Sequence, residues 1–464
     1  MLSTSLAPRL LARFAVAFAI TSLASPSPAQ SESAAGPLER SGAFYSLRYH
    51  GADAALAEAA LAVVDQAWPI AAAAFGVPDA KPSQPLEIHL YRRTSDYRAA
   101  DAKLTGGKFE RNLAMAHWAT RSAHVALQPP CSDETLRAVG LPAQTVALLA
   151  WEATHLARFE LCRNFESHPD WVCDGLAASS AQRIYSKQFP GAVESAPFWS
   201  MDLLRARRLA EAGKLPPVES VLSDRIADLD LQDRYAVRDA FFAFLSSEAR
   251  KPKLASVLAT VRSTGGGPGF AAKVLEHAKK ALGDQDKPFA KYVAAQKPQW
   301  EEIYRSLSTS GSQWVQIAFP ERNAIAWRTE PVKAKRLSAS GALRILPGGR
   351  QQLNFLFGRS EQGFYSIAFV ADYGFTVFDY RADTNQWTNL GEGVAPALRL
   401  GVSTEFTLEA AGDKLALSIG EKSWKIQLPR ELPPAIAWGI GAQAGPEGAE
   451  TGSAGLWTDL SVGK

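Results

Sequence analysis

Cysteine is scarce in this chain: Cys131, Cys162 and Cys173 are the only three in 464 residues. That excludes a small scaffold stapled by disulfides and allows at most one bridge, with a thiol left over. Spacing alone does not choose between a bridge and three free thiols. An excess of either charge is lacking too, since 50 Lys plus Arg face 47 Asp plus Glu for a net charge of +3. So near a balance offers no global attraction for nucleic acid, and no nucleic-acid partner is expected. Beyond the first 30 residues no run of 18 apolar residues occurs, so no membrane span is expected. Repeats of solenoid period are absent as well. What remains is ordinary globular composition, 47% hydrophobic and 21% charged, at a length that suits two or three domains.

The first 29 residues read as a secretory signal peptide. Arg9 and Arg13 form a basic start, Phe14 to Leu23 an apolar stretch too short to cross a bilayer, and Ser27-Pro28-Ala29 a small-residue cleavage site. No cysteine follows the apolar stretch and no arginine pair precedes it, so neither a lipid anchor nor twin-arginine export is expected. The expected location is periplasmic or extracellular. Cleavage after Ala29 removes two arginines and no acid, leaving a net charge of +1.

Residues 30–40 (QSESAAGPLER) are small and polar, as a flexible linker is. Alternating strands follow at 44–50 and 86–91, an alanine-rich helix lies between them at 54–74, and a short strand at 123–127 ends on Gln128-Pro129-Pro130. Leu141-Pro142 introduces a helix over 143–162. Helical patterns then run at 170–186, 197–212, 232–248, 253–262, 270–282 and 287–306. At 307–312 the composition turns to Ser, Thr and Gly, as a linker does, and short alternating runs with hairpin turns fill 313–464. Residues 41–306 are thus expected as strands followed by helices, and 313–464 as an independently folding all-β sandwich.

Chemistry is carried by the helix over 143–162, which reads Leu149-Ala150-Trp151-Glu152-Ala153-Thr154-His155. A zinc-hydrolase helix of the HExxH type sets two His one turn apart, with the Glu after the first as general base toward a metal-bound water. Here Trp151 fills the first position while Glu152 and His155 stand in the others. Eighteen residues then intervene before Asp174, in Asp170-Trp171-Val172-Cys173-Asp174-Gly175-Leu176-Ala177, which opens a second helix with Asp170 placed as its N-cap.

This spacing resembles the gluzincin metallopeptidases, and the surroundings (LTGGKFERNLAMAHW, AHVALQPPC, SHPDWVCDGLA) are similar to secreted peptidase-MA-like proteins of the DUF1570 type. The resemblance covers roughly residues 40 to 306 and implies a thermolysin-like α+β peptidase domain. It implies Glu152 as base, His155 and Asp174 as metal ligands, and Tyr235, on the helix over 232–248, as the group that stabilises the oxyanion. Two of three ligand positions depart from the pattern. Asp174 is one methylene short of the family's Glu but keeps a donor oxygen, whereas the indole N–H of Trp151 has no lone pair to give. The expectation is a pseudopeptidase with zinc weakly held or absent. The alternative is an active zinc endopeptidase with a recruited ligand, acting on a peptide or protein substrate. His117 and His124 are the candidates for that ligand, and His50, His89, His168 and His277 show no partner spacing. The G-x-M-E-N exopeptidase signature is absent.

The C-terminal pattern resembles concanavalin-like jelly rolls of the laminin-G and family-16 glucanase kind, on GFYSIAFVADYGFTVFDYR, LEAAGDKLALSIGEKSWKIQ and AGLWTDLSV. The glucanase E-x-D-x-E strand is missing, so glycoside hydrolysis by paired carboxylates is not expected. Trp387, Trp424, Trp438 and Trp457 are candidates for stacking on sugars, set against the plainer reading of each as a packing residue. A carbohydrate- or envelope-binding protein that acts through this sandwich is the remaining alternative.

Overall fold

Apolar residues on one side of Tyr45–His50, Leu86–Tyr91 and Ser122–Ala126 bring these strands into a single sheet over a helical layer. The computed structural model describes residues 36–463 except 163, 190–196, 265, 268, 304–306, 311, 321, 349–350 and 445–450. The signal peptide expected over 1–29 lies outside the described residues. β1 (Leu38–Ser41) is antiparallel to β2 (Tyr45–His50), so the polar stretch expected as a linker to residue 40 already ends in a strand. Next come α1 (Ala54–Val64), α2 (Ala67–Ala74), β3 (Leu86–Tyr91), α3 (Thr94–Thr105), β4 (Ala114–His117) and β5 (Ser122–Ala126). The sheet order is β1-β2-β3-β5-β4, with β2, β3 and β5 parallel. Tyr45, Leu47, Ile88, Leu90, Ala123 and Val125 are buried against the helices.

The helix expected over 54–74 is two helices, and Asp65 marks the break. Its carboxylate accepts the backbone N–H groups of Ala43, Phe44 and Tyr45 at 2.8, 3.0 and 3.1 Å, satisfying donors at the start of β2.

The chain continues through α4 (Asp133–Val139), α5 (Ala143–Leu161), a single 3-10 turn at Phe165–Ser167, α6 (Asp170–Gln188), α7 (Pro197–Glu211), α8 (Val218–Leu222), α9 (Leu231–Leu245), α10 (Lys251–Ser263), α11 (Phe270–Leu282) and α12 (Asp286–Ala295). Thr145 Oγ1 accepts from Gln128 N at 2.7 Å and donates to Gln128 O at 2.9 Å, which ties the start of α5 to the end of β5. Tyr45 Oη donates to Ala153 O at 2.8 Å and fixes the middle of α5 against β2.

The helix expected over 287–306 stops at Ala295. Gln296 leaves helical geometry and β6 (Trp300–Ile303) follows. The segment expected as a linker at 307–312 contains β7 (Leu307–Ser310), paired antiparallel with β8 (Gln313–Ile317). The sandwich therefore begins before its expected boundary.

Beyond β8 come β9 (Ala324–Arg328), β10 (Arg336–Leu346), β11 (Gln352–Ser360), β12 (Gly363–Val370), β13 (Gly374–Arg381), β14 (Gln386–Val394), β15 (Thr404–Ala411), β16 (Lys414–Ile419), β17 (Lys422–Gln427), β18 (Trp438–Ala442) and β19 (Ala454–Gly463). With β6, β7 and β8 they form two seven-stranded antiparallel sheets, β17-β16-β15-β10-β19-β8-β7 and β14-β13-β12-β11-β18-β9-β6. Phe355, Phe357, Ile367, Phe369 and Val377 of one sheet share a core with Leu337, Phe406, Leu408, Leu417 and Trp457 of the other. This is the sandwich the alternation predicts.

Residues 37–464 form one compact unit in which the two halves share buried surface. Val315, Ile317, Leu346, Ala454 and Leu456 of the sandwich belong to the same buried cluster as Leu127, Cys131, Leu136 and Leu149. Ser132 Oγ and Thr135 Oγ1 donate to Pro347 O at 2.7 and 3.0 Å, and Gly452 N donates to Pro130 O at 2.9 Å. Glu301 takes Arg208 from α7 and Arg359 from β11, both at 3.0 Å.

A fragment of residues 313–464 would lack β6 and β7 and expose the shared face, where each large apolar side chain fully uncovered forfeits about 1.5–3 kcal/mol. Its denaturation midpoint in urea should lie well below that of the full chain, with aggregation during purification. A soluble fragment as stable as the full chain would contradict the shared core.

Candidate functional site

Nineteen residues of α5 place Glu152 and His155 beside a closely packed α6. Trp151 and His155, one turn apart, share a helical face as the sequence predicts, with ring centroids 5.8 Å apart at 63°. Trp151 packs against the first core. An aromatic row continues from His155 to Phe159, Phe165 and the half-exposed Trp118, at 6.4, 4.6 and 5.7 Å between successive rings. A cavity of about 100 Å³ lies along it, rimmed by Arg121 and Glu160, which pair at 3.0 Å.

Glu152 is 8% exposed and forms no hydrogen bond or ion pair with any described residue. Burial pushes its carboxyl up to about 8. His155 is pushed down to about 3, first by burial and then by the charge of Arg158. At neutral pH the imidazole is therefore neutral and the carboxyl largely protonated.

Asp174 has a different partner. Arg238, on α9 and 7% exposed, donates from Nη1 to Asp174 Oδ2 at 3.0 Å, pairs through Nη2 with Asp170, and lies 3.9 Å from Asp224. Burial lifts Asp174 to about 7 against the opposing pull of Arg238. Tyr235 stands one turn before Arg238, its phenol raised first by burial and then by Asp174. The close approach of α6 and α9 depends on Gly175, where a Cβ would sit 2.4 Å from that of Phe242. Asp170, expected as an N-cap, is the first residue of α6. Pro169 holds the cap position, and the Asp170 carboxylate goes to Arg238 instead.

Asp174 and Tyr235 gather around Arg238, while Glu152 and His155 share no hydrogen bond or ion pair with them. Among the described residues no three His, Cys, Asp or Glu side chains stand together as a metal site. The donor set does not fit zinc: Trp151 offers no lone pair, and Asp174 already answers a guanidinium.

His124 belongs to the sheet face opposite α5, because its neighbours Ala123 and Val125 point into the core that α5 shares. There His50, His89 and His124 stack across β2, β3 and β5, with centroids 5.4 and 4.5 Å apart. His50 Nε2 lies 3.1 Å from His89 Nδ1, and His124 sits between the Tyr91 hydroxyl and Ser122 Oγ, both at 2.9 Å. His117 bonds Thr120 at 2.9 Å. Neither His117 nor His124 therefore completes a ligand set with His155. Sequence reading missed this stack because only strand order brings residues 50, 89 and 124 together.

In the sandwich the four candidate tryptophans separate. Trp457 is fully buried, Trp438 packs on Trp300 and Phe355, and Trp424 lies 4.7 Å from Phe375. Trp387 instead stands half-buried on the outer face of the second sheet. It rests on Phe364 at 5.6 Å, Tyr380 at 4.9 Å and the half-buried Phe378 at 6.0 Å, with Trp327 and Leu356 in the same cluster. Thr376, Asn389 and Glu392 lie on that face by strand register. Along β15 the outer face of the first sheet shows Glu405, Thr407, Glu409 and Ala411 to solvent, while its β8, β10 and β19 end is covered by the α/β lobe. All three cysteines are free thiols, each pushed up to about 12 by burial.

No protein-family model matches the chain, and no curated protein matches it by sequence. Among solved structures it is similar to the carbohydrate binding module CBM66 from Bacillus subtilis, at 9% identity over 36% of this chain and 96% of that one, with a TM-score of 0.30. It is also similar to the metal-free exoplasmic/lumenal domain of VIP36, at 12% identity over 36% of this chain and 85% of that one (TM-score 0.27). An alginate lyase from Pseudomonas aeruginosa matches at 10% identity over 34% of this chain and 85% of that one (TM-score 0.24).

Glu152 generates a pH test. Its folded value lies above the ordinary 4.5, so the stability resting on its neutral form is complete below about pH 4.5 and is lost as pH rises through about 8. Glu152→Gln keeps the shape without the charge. In urea titrations it should gain on the wild type by on the order of 2–4 kcal/mol between pH 4.5 and pH 8. A gap that does not change with pH would contradict the buried, unpaired carboxyl.

Proposed function

We propose that this is an exported binding protein whose sandwich holds a glycan chain on the outer face of its second sheet, around Trp387. The α/β lobe serves as a peptidase-like scaffold without zinc chemistry. One observation carries the reading: Trp387 is a half-buried indole braced from beneath by Tyr380 and Phe364, on a face whose other outward groups include Thr376, Asn389 and Glu392. An aromatic ring fixed by packed aromatic neighbours offers a flat apolar surface with little loss of side-chain entropy on binding. Hydroxyl and carboxamide groups at its border suit a ligand rich in hydroxyls. On the first sheet, β15 turns Glu405, Thr407, Glu409 and Ala411 outward instead.

Two further elements of the proposal rest on sequence. The arginine-flanked apolar stretch before Ala29 supports export to the periplasm or beyond. The Glu152, His155 and Asp174 spacing supports descent from a zinc peptidase, while Trp151 and the Arg238 pair argue against retained zinc catalysis.

Electrophoresis of the full chain in gels containing laminarin, xylan, mannan or alginate tests the reading. At least one polysaccharide should retard the wild type, and Trp387→Ala should weaken that interaction about tenfold, equivalent to ~1.4 kcal/mol, with the thermal midpoint nearly unchanged. Retardation by none of them, or full affinity in a folded Trp387→Ala variant, would overturn it.

A further inference from the structure

A second concave surface lies on the helical side, far along the chain from Trp387 and Glu152. It is a shallow, open groove of about 530 Å³ between the end of α9, Arg250 and α12. Its floor is apolar: Phe244 and Tyr292 meet with ring centroids 5.5 Å apart, and Pro288 lies beside them. Its rim is cationic. Lys287 and Lys291 stand one turn apart on α12, and Arg250 faces them.

Arg250 is held in place before any ligand arrives. Its guanidinium lies over the Phe244 ring at 4.0 Å, Nε donates to Gln285 Oε1 at 3.2 Å, and Nη1 donates to Ser247 Oγ at 3.3 Å. Nη2 has no acceptor among the described residues. None of the three cations pairs with a described carboxylate, and no carboxylate lines the groove. The nearby acids are engaged elsewhere: Asp286 accepts from Val218 N at 2.7 Å and Glu248 pairs with Lys251 at 3.7 Å. Like charges a turn apart on a helix repel, and a third cation adds to that cost. An anion in the groove would reverse it.

We propose that this groove binds an aromatic carboxylate. The ring lies against Tyr292 and Pro288, and the carboxylate meets Arg250 Nη2 with Lys287 and Lys291 at its sides. A planar fork on a carboxylate gives charge-assisted hydrogen bonds of fixed direction, and the apolar floor selects for a ring over a bare inorganic anion.

Calorimetric titration of the full chain with 1-naphthoate as probe, and with neutral 1-naphthamide as its match in shape, tests both halves of the proposal. Naphthoate should bind once per chain, at least about tenfold more tightly than the amide, and lose affinity as salt rises. Arg250→Gln should weaken it about tenfold or more. The Lys287→Gln, Lys291→Gln double variant, whose side chains are exposed and leave folding intact, should do the same, while Lys425→Gln on β17 should change nothing. Equal affinity for acid and amide, absence of saturable binding, or indifference to the α12 double variant would overturn the proposal. Because the groove shares no residue with the Trp387 face, its failure leaves the glycan reading untouched.

Discussion

One buried guanidinium organises the helical half. Arg238 draws Asp174 and Asp170 of α6 together, lies near Asp224 in the turn after α8, and sits on α9, so three parts of the helical half meet at a single cation. Removing one partner from such a buried group leaves charge without compensation, at a typical cost of 3–5 kcal/mol. The same contact decides the chemistry of the region. A carboxylate that faces an arginine has its negative charge satisfied by protein, and a dication brought to the same place would meet a fixed positive charge. Trp151 packs its indole on the first core and against His155.

The second constraint is the core that the two halves share. Leu346, Ala454 and Leu456 enter the cluster that also buries Leu127 and Leu136, and the hydroxyls of Ser132 and Thr135 reach across to Pro347. The sandwich is therefore held on a fixed support, and the outer face of its second sheet keeps its aromatic patch in one orientation. Pre-organisation of that kind reduces the ordering cost of binding an extended ligand.

Legibility in the sequence followed the range of the interactions. Neighbours within a helix could be read directly: the i, i+4 spacing places Trp151 on His155, and the structure has them in contact. The β pattern beyond residue 313 announced the sandwich for the same reason, since alternation is local. Asp174 could not be assigned its partner, because Arg238 lies on a helix 64 residues on whose approach depends on Gly175. The Ser, Thr and Gly of 307–312 suit a linker and an edge strand equally, and only pairing with Gln313–Ile317 distinguishes them. The four tryptophans look alike in alternating strands. Register across several strands puts Trp457 inside and leaves Trp387 at the surface.

Arg238 occupies the Asp174 carboxylate that a metal would need. Equilibrium dialysis of the purified chain against excess zinc, then against metal-free buffer, followed by elemental analysis, is the deciding measurement. The expected result is far less than one zinc retained per chain, in both the wild type and a folded Trp151→His variant, because restoring the imidazole leaves the Asp174 ion pair in place. One tightly held zinc per wild-type chain would contradict it.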